Sequence, residues 1–258
     1  MRFEGKSAII TGGAGGIGSA TAALLASEGA RVLLVDRDQD ALDKAAITVA
    51  GDVHTFRADV TDPDSVRGYV EHAVDLFGKI DILFSNAGIE GPVAYVSDYS
   101  VEDFDKVIAV NIRGVFLGLH EVLPVMIKQG FGSIINTGSV ASSRGLPGSI
   151  AYNAAKHAVL GMTRAATAEL GGSGVRVNAV LPGMIDTRML RALVTTMADG
   201  DTDAGLTAAA ASSPMSRTGS PAEVAEVVAF LASDAASFVN GAAYPVDGGA
   251  LAVLPNGG

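Results

Sequence analysis

The sequence predicts an α/β protein: one doubly wound parallel sheet with helices on both faces. Three observations predict it. Short, continuously apolar runs recur along the chain, which suits strands buried on both faces. Stretches of helical periodicity separate those runs. A glycine-rich turn, TGGAGGIG at 11–18, joins the first run to the first helical stretch. The chain of 258 residues is long enough for a substantial core, so residues 1–258 are read as a single domain.

The elements follow in order. Ser7–Thr11 is the first strand, and a helix over about 17–28 leaves the glycine turn. Val32–Val35 is the second strand, followed by a helix at 38–49. Val53–Arg57 is a weaker strand. The helix at 63–77 starts with Pro63 just inside Asp62, sound N-terminal chemistry. Ile80–Phe84 is a strand, and 101–128 a long helix with Gly114 and Gly118 inside it. Ser133–Thr137, a helix at 150–171 and the strand Val175–Leu181 come next. A weakly patterned stretch at 188–219, rich in Ala, Thr, Ser and Asp, follows a strand's C-terminal end, where such sheets bind ligands. It is read as a substrate flap, or else as a surface loop with a short helix. A helix at 221–232, opened by Ser220 and Pro221, and the strand Ala242–Val246 close the series.

Composition excludes several function classes. There is no cysteine, hence no disulfide, thiolate metal site or cysteine nucleophile. The net charge of −10 with no Lys/Arg stripe opposes nucleic-acid binding. His54, His72, His120 and His157 are scattered, so no metal site is expected. No uncharged apolar run approaches the roughly 18–20 residues of a membrane span, and no signal-like leader opens the chain, so a cytoplasmic protein with no membrane partner is expected. The helices at 101–128 and 150–170 are apolar almost all round. A second subunit covering them, or a deep monomeric core, would explain it.

The turn at 11–18 fits two glycine registers, Gly13-x-Gly15-x-x-Gly18 and Gly12-x-x-x-Gly16-x-Gly18. In either, glycines let backbone N–H groups approach a pyrophosphate at a helix N-terminus. Asp36 ends the second strand, eighteen residues after Gly18, placed to accept from ribose hydroxyls. Against a 2′-phosphate, a carboxylate at about 5 Å and an effective dielectric of ~20 costs roughly 3 kcal/mol per charge pair. NAD is therefore expected over NADP, with Arg37 a neighbour that would partly rescue a phosphate.

Tyr152 and Lys156 are four residues apart on one helix face, and Ser139 lies thirteen residues upstream of Tyr152. Hydride transfer to or from a carbinol carbon needs a group that moves the hydroxyl proton and one that polarises the oxygen. Lowering a tyrosine from its ordinary pKa to about 7 requires roughly 4 kcal/mol. One ammonium at about 4 Å and an effective dielectric of ~20 supplies that much. Tyr152 is thus the expected acid/base, Lys156 its electrostatic partner and Ser139 the donor to the substrate oxygen. The residues expected to face the substrate, Val140, Leu146, Met184, Met189, Leu190 and Leu193, are apolar and suit a neutral ring alcohol or ketone. Arg144, Arg188 and Arg191 leave open an acidic substrate or a phosphopantetheine carrier.

With TGGAGGIG, Asn86-Ala87-Gly88, Asn111, Ser139 and Tyr152-x-x-x-Lys156 together, the chain resembles the short-chain dehydrogenase/reductase family, in its compact branch, over essentially its whole length. The resemblance implies a Rossmann-type sheet of seven parallel strands, and a homotetramer or homodimer formed through the two apolar helices. It implies cofactor contacts from Thr11, Gly12, Gly15, Gly16, Ile17 and Gly18, and from Asp36 and Arg37. Asp59 and Val60 would hold the adenine, and Asn86, Ala87 and Gly88 would line the cleft, with Ser85 departing from the family's first Asn. Pro182, Gly183, Ile185 and Thr187 would touch the nicotinamide amide. Lys156 would hold the nicotinamide ribose beside Tyr152, and Asn111 would anchor a water in a proton relay. NAGIEG at 86–91 and the flap resemble NAD-linked cyclic alcohol and ketone dehydrogenases. The expected activity is that of an NAD-dependent secondary-alcohol dehydrogenase or ketone reductase. A 3-oxoacyl-carrier-protein reductase using NADPH and a non-catalytic NAD-binding regulator are the alternatives.

Overall fold

The computed structural model describes residues 1–253. Seven strands, β1 (Ser7–Thr11), β2 (Arg31–Asp36), β3 (Val53–Arg57), β4 (Ile82–Ser85), β5 (Gly132–Thr137), β6 (Val175–Pro182) and β7 (Ala243–Val246), form one sheet. Its order is β3-β2-β1-β4-β5-β6-β7, and every neighbouring pair is parallel. The helices are α1 (Gly16–Ser27), α2 (Gln39–Thr48), α3 (Pro63–Phe77), α4 (Val101–Ile108), α5 (Gly114–Gln129), α6 (Ile150–Glu169), α7 (Arg188–Met197), α8 (Thr202–Ala211) and α9 (Pro221–Ala232). Strand order reverses between β1 and β4, which opens a crevice at their carboxyl ends.

Period-two alternation distributes each strand's side chains between two cores. Ile9, Leu33, Leu83, Ile134 and Val177 join α3, α5 and α6 on one face. Ile10, Leu34, Ile82, Ile135 and Val180 join α1, α2 and α9 on the other. Helix starts use the chemistry their sequences offer. Asp62 accepts from Asp64 and Ser65 N–H with Pro63 at the first position, and Ser220 and Glu223 cap α9 reciprocally.

The helix expected over 101–128 is continuous but not uniform, because it widens into a π-type turn over Ala109–Arg113. The run Val101–Gln129 is long and apolar enough to match a membrane span, with mean hydropathy 1.4. Charged residues such as Arg113 and Glu121 interrupt it, so it holds no uncharged run of that length. Its apolar residues serve the sheet instead: Val115, Leu119, Val122 and Met126 lie in the core of one face. Its outer side leaves Phe116 and Ile127 about half exposed.

The stretch 188–219 is more ordered than a flap or loop. It folds into α7 and α8, whose N-termini are capped by Thr187 and Asp201 side chains. Leu190, Val194 and Ala209 form a small core of their own with Met184 and Leu206. A bridge between Ile185 and Gly219 closes the excursion at its base.

Candidate active site

The carboxyl ends of β1, β4, β5 and β6 carry the candidate residues. Thr11 ends β1, and its Oγ1 accepts from the N–H groups of Asn86 (3.0 Å) and Ala87 (3.2 Å). Asn86 returns the contact, donating to the carbonyls of Thr11 and Gly12, each at 3.2 Å. Gly12 has φ of +61°, and a Cβ there would lie 2.9 Å from Ala87 Cα. The glycine turn and the 86–88 segment are therefore pressed together, which only glycine permits at position 12. Gly18 is as constrained: a Cβ would come 2.3 Å from the Gly12 carbonyl oxygen.

These residues fit a dinucleotide. Helix α1 has no side-chain cap at Gly15, unlike α2, α3, α4 and α7, so its first N–H groups are left for an anion. Gly16 is exposed there, with Thr187 beside it: a Cβ on Gly16 would lie 3.1 Å from Thr187 Cγ2. Asp36 stands at the end of β2, half-buried, and accepts from Ala14 N–H at 3.3 Å. Arg37 is exposed. Asp59 spends Oδ1 on Thr61 N–H and Oγ1, both at 2.8 Å, and Val60 fills the space over Gly114. Ile17 packs against the core of the α1 face, a Cβ on Gly88 would lie 3.7 Å from Lys156 Nζ, and Gly183 packs on Asp247 where a Cβ would meet its Cα at 2.8 Å. Pro182 and Ile185 are buried at the end of β6.

The acid/base group forms beside β5. Lys156 is 4% exposed, and its Nζ donates to the Thr137 carbonyl at 2.8 Å. The same nitrogen lies 5.4 Å from the Tyr152 ring centroid, so the two side chains converge. Ser139 opens a short turn: its Oγ accepts from Ala141 N–H at 3.2 Å, and Ser142 Oγ accepts from Ser139 N–H at 3.1 Å. Ser142 also donates to the Lys156 carbonyl at 2.7 Å, which ties the turn to α6.

The electrostatics differ from the sequence argument. Burial pushes the Tyr152 phenol up to about 12; hydrogen bonding from Ser139 pulls it down, and the Glu90 charge adds to the rise. Burial pushes Lys156 down to about 8, with Glu90 opposing. Desolvation of the phenolate thus outweighs the hydrogen bond from Ser139, and the phenol lies above its ordinary value. The sequence arithmetic took the Lys charge in a half-wet medium at about 4 Å and left out burial.

Asn111, 1% exposed in the π-type turn, spends both ends of its amide on Ile89: Oδ1 accepts from its N–H at 2.8 Å and Nδ2 donates to its carbonyl at 2.7 Å. Its side chain clamps the 86–91 segment. On the substrate side, Leu146, Met184, Met189 and Leu193 keep some exposure. Val140 (3%) and Leu190 (5%) are core residues, contrary to expectation. Arg191 is paired with Asp186 through two bonds of 2.7 Å, and Arg144 donates to the Ala250 carbonyl. Sequence reasoning missed Glu90, half-buried in the same cleft, where burial pushes its carboxyl up to about 7. The signal was present as a lone acid inside the apolar segment after Asn86-Ala87-Gly88.

A family model described as enoyl-(acyl carrier protein) reductase matches residues 12–250. Levodione reductase of Leifsonia aquatica is 42% identical over 253 residues, 96% of this chain and 95% of the relative. A 3-oxoacyl-[acyl-carrier-protein] reductase of Thermotoga maritima is 43% identical over 252 residues, 96% of this chain and 99% of the relative. Cyclohexanol dehydrogenase of an Acinetobacter strain is 38% identical over 250 residues, 96% and 95% covered. The crystal structure of levodione reductase superposes with a TM-score of 0.96 at 41% identity, covering 98% of this chain and 100% of that one. That of NAD+-bound xylitol dehydrogenase gives 0.93 at 37% identity, covering 96% and 100%.

Proposed function

The chain belongs to the short-chain dehydrogenase/reductase family, and from that premise we propose that it is an NAD-dependent oxidoreductase interconverting a secondary alcohol and a ketone. The observation that carries the reading is the convergence of Tyr152, Lys156 and Ser139 at the carboxyl edge of β5, beside the uncapped start of α1. Bound in the crevice, the dinucleotide supplies the hydride acceptor for alcohol oxidation and the donor for ketone reduction.

The chain's own residues do the rest. Tyr152 Oη holds the proton that moves to or from the substrate oxygen, and Ser139 Oγ donates to that oxygen and orients it. Lys156 is fixed on the Thr137 carbonyl beside the Tyr152 ring, and its remaining N–H groups would hold the nicotinamide ribose hydroxyls. Asp36 receives the adenosine ribose, and Gly12, Gly15, Gly16 and Ile17 leave room for the pyrophosphate. Asp59 and Val60 border the adenine; Pro182, Gly183, Ile185 and Thr187 border the nicotinamide amide. The apolar Leu146, Met184, Met189 and Leu193 favour a ring alcohol or ketone, as the names of the levodione and cyclohexanol relatives suggest. The half-exposed Phe116 and Ile127 on α5 suit a homotetramer or homodimer closing over that helix.

The carrier-protein reductase remains the second reading because a relative of that name is 43% identical. Initial rates separate the two. Purified protein given NAD and NADP in parallel, with cyclic secondary alcohols in one arm and an acetoacetyl thioester in the other, is expected to use NAD and the alcohols. Reduction of the thioester with NADPH as the faster reaction would overturn the proposal. NAD binding without turnover of any alcohol or ketone would favour a regulator.

A further inference from the structure

Among the described residues, Glu90 is the one half-buried carboxyl group with no hydrogen-bond or ion-pair partner; the others, Asp81 and Asp186 among them, are bonded. Its position is fixed from both sides. Asn111 grips the N–H and carbonyl of Ile89, whose side chain packs toward Val107, Ala151 and Ala155. Gly91, at φ of +75°, lies so close to Tyr99 and Val107 that a Cβ would come 2.5 Å from the Tyr99 hydroxyl. Gly88, two residues before it, borders the acid/base group: a Cβ there would lie 3.3 Å from Asn111 Oδ1 and 3.7 Å from Lys156 Nζ. Glu90 therefore looks into the same space as Lys156 and Tyr152, and its charge acts on both. The segment that carries it lies along 148–149, where Ala94 bridges to Ser149 and a Cβ on Gly148 would meet Val93 at 2.8 Å.

A half-buried carboxyl group left without a partner is costly unless a ligand completes it. Resting on the alcohol–ketone reading above, we propose that Glu90 is a specificity-determining side chain that receives a second oxygen function of the substrate, so that the preferred substrates are rings carrying two oxygens rather than one. Its carboxyl near neutrality can accept from a hydroxyl when ionised and donate to a carbonyl when protonated, which suits both a diol and its ketone product. A site with a buried polar group discriminates strongly against an analogue that cannot pair with it.

The test compares cyclohexanol with the cyclohexane-1,2-, 1,3- and 1,4-diols at saturating NAD, in wild type, Glu90→Gln and Glu90→Ala. In wild type, kcat/KM for at least one diol is expected to exceed that for cyclohexanol by about tenfold or more. Glu90→Ala is expected to bring that ratio close to one while cyclohexanol turnover stays within about threefold, and Glu90→Gln, which still donates and accepts, to keep most of the preference. A wild type that prefers no diol overturns the assignment and leaves the alcohol-dehydrogenase reading intact. A diol preference that survives Glu90→Ala also overturns it, as does an equal loss on cyclohexanol and diol in both variants, which would mark an effect through Tyr152 and Lys156. A wild type that binds NAD but oxidises none of these compounds overturns both readings.

Discussion

The two sides of the active-site crevice are built differently. On the side proposed for the nucleotide, four polar side chains are already bonded to protein: Thr11 to the 86–87 backbone, Asn86 to the 11–12 carbonyls, Asn111 to Ile89, Lys156 to Thr137. On the substrate side the walls are apolar, α7 and α8 form a small core of their own, and Glu90 stands unbonded. A crevice half rigid and half open lets one sheet hold one cofactor while the substrate wall varies. Changes on the nucleotide side should therefore strike turnover of every substrate, and changes on the substrate side should alter choice among substrates.

The largest expected effect is that of Tyr152→Phe. It removes the proton carrier and leaves the crevice, so turnover should fall about a thousandfold or more. NAD affinity, followed by fluorescence titration, should stay within a few-fold. A variant retaining wild-type rates would end the mechanism. Lys156→Met comes next, with a loss on the order of a hundredfold. NAD affinity should fall too, because Lys156 faces ribose and phenol together. Unchanged affinity would detach Lys156 from the nucleotide side.

Asp36→Asn keeps an acceptor for Ala14 N–H and removes only the charge. The NAD over NADP preference in kcat/KM should shrink by about tenfold, since a charge pair across ~5 Å at moderate dielectric is worth about that or more. An unchanged ratio would assign cofactor choice to another residue. Glu90→Gln should have the smallest effect on the chemistry itself. Ionised Glu90 raises the pKa of Tyr152, so removing the charge lowers it. The rise of alcohol-oxidation rate with pH should then move to lower pH. A shift to higher pH would contradict the placement of that charge.

Much of this was legible in the sequence. Apolar runs gave all seven strands to within a few residues, because strands buried on both faces leave a mark that needs no tertiary context. Tyr152, Lys156 and Ser139 were legible because spacing on one helix and one strand end fixes them. The 188–219 stretch was not read as two helices: its small residues blur periodicity, although Thr187 and Asp201 were usable caps. Glu90 and the raised Tyr152 pKa escaped for a shared reason. Burial is decided by residues far apart in the chain, here the 86–91 segment, α4 and α6, and no local pattern records it. The same holds for Asn111, whose amide is bonded to a residue twenty-two positions away.

Tyr152, buried at the active site, keeps its proton in the free protein. Carbon-13 labelling at tyrosine Cζ, with Tyr152→Phe to assign the signal, reads its ionisation directly in the free protein. Titration toward about 12 is the expected result. Ionisation at or below the ordinary tyrosine value of ~10 would contradict it.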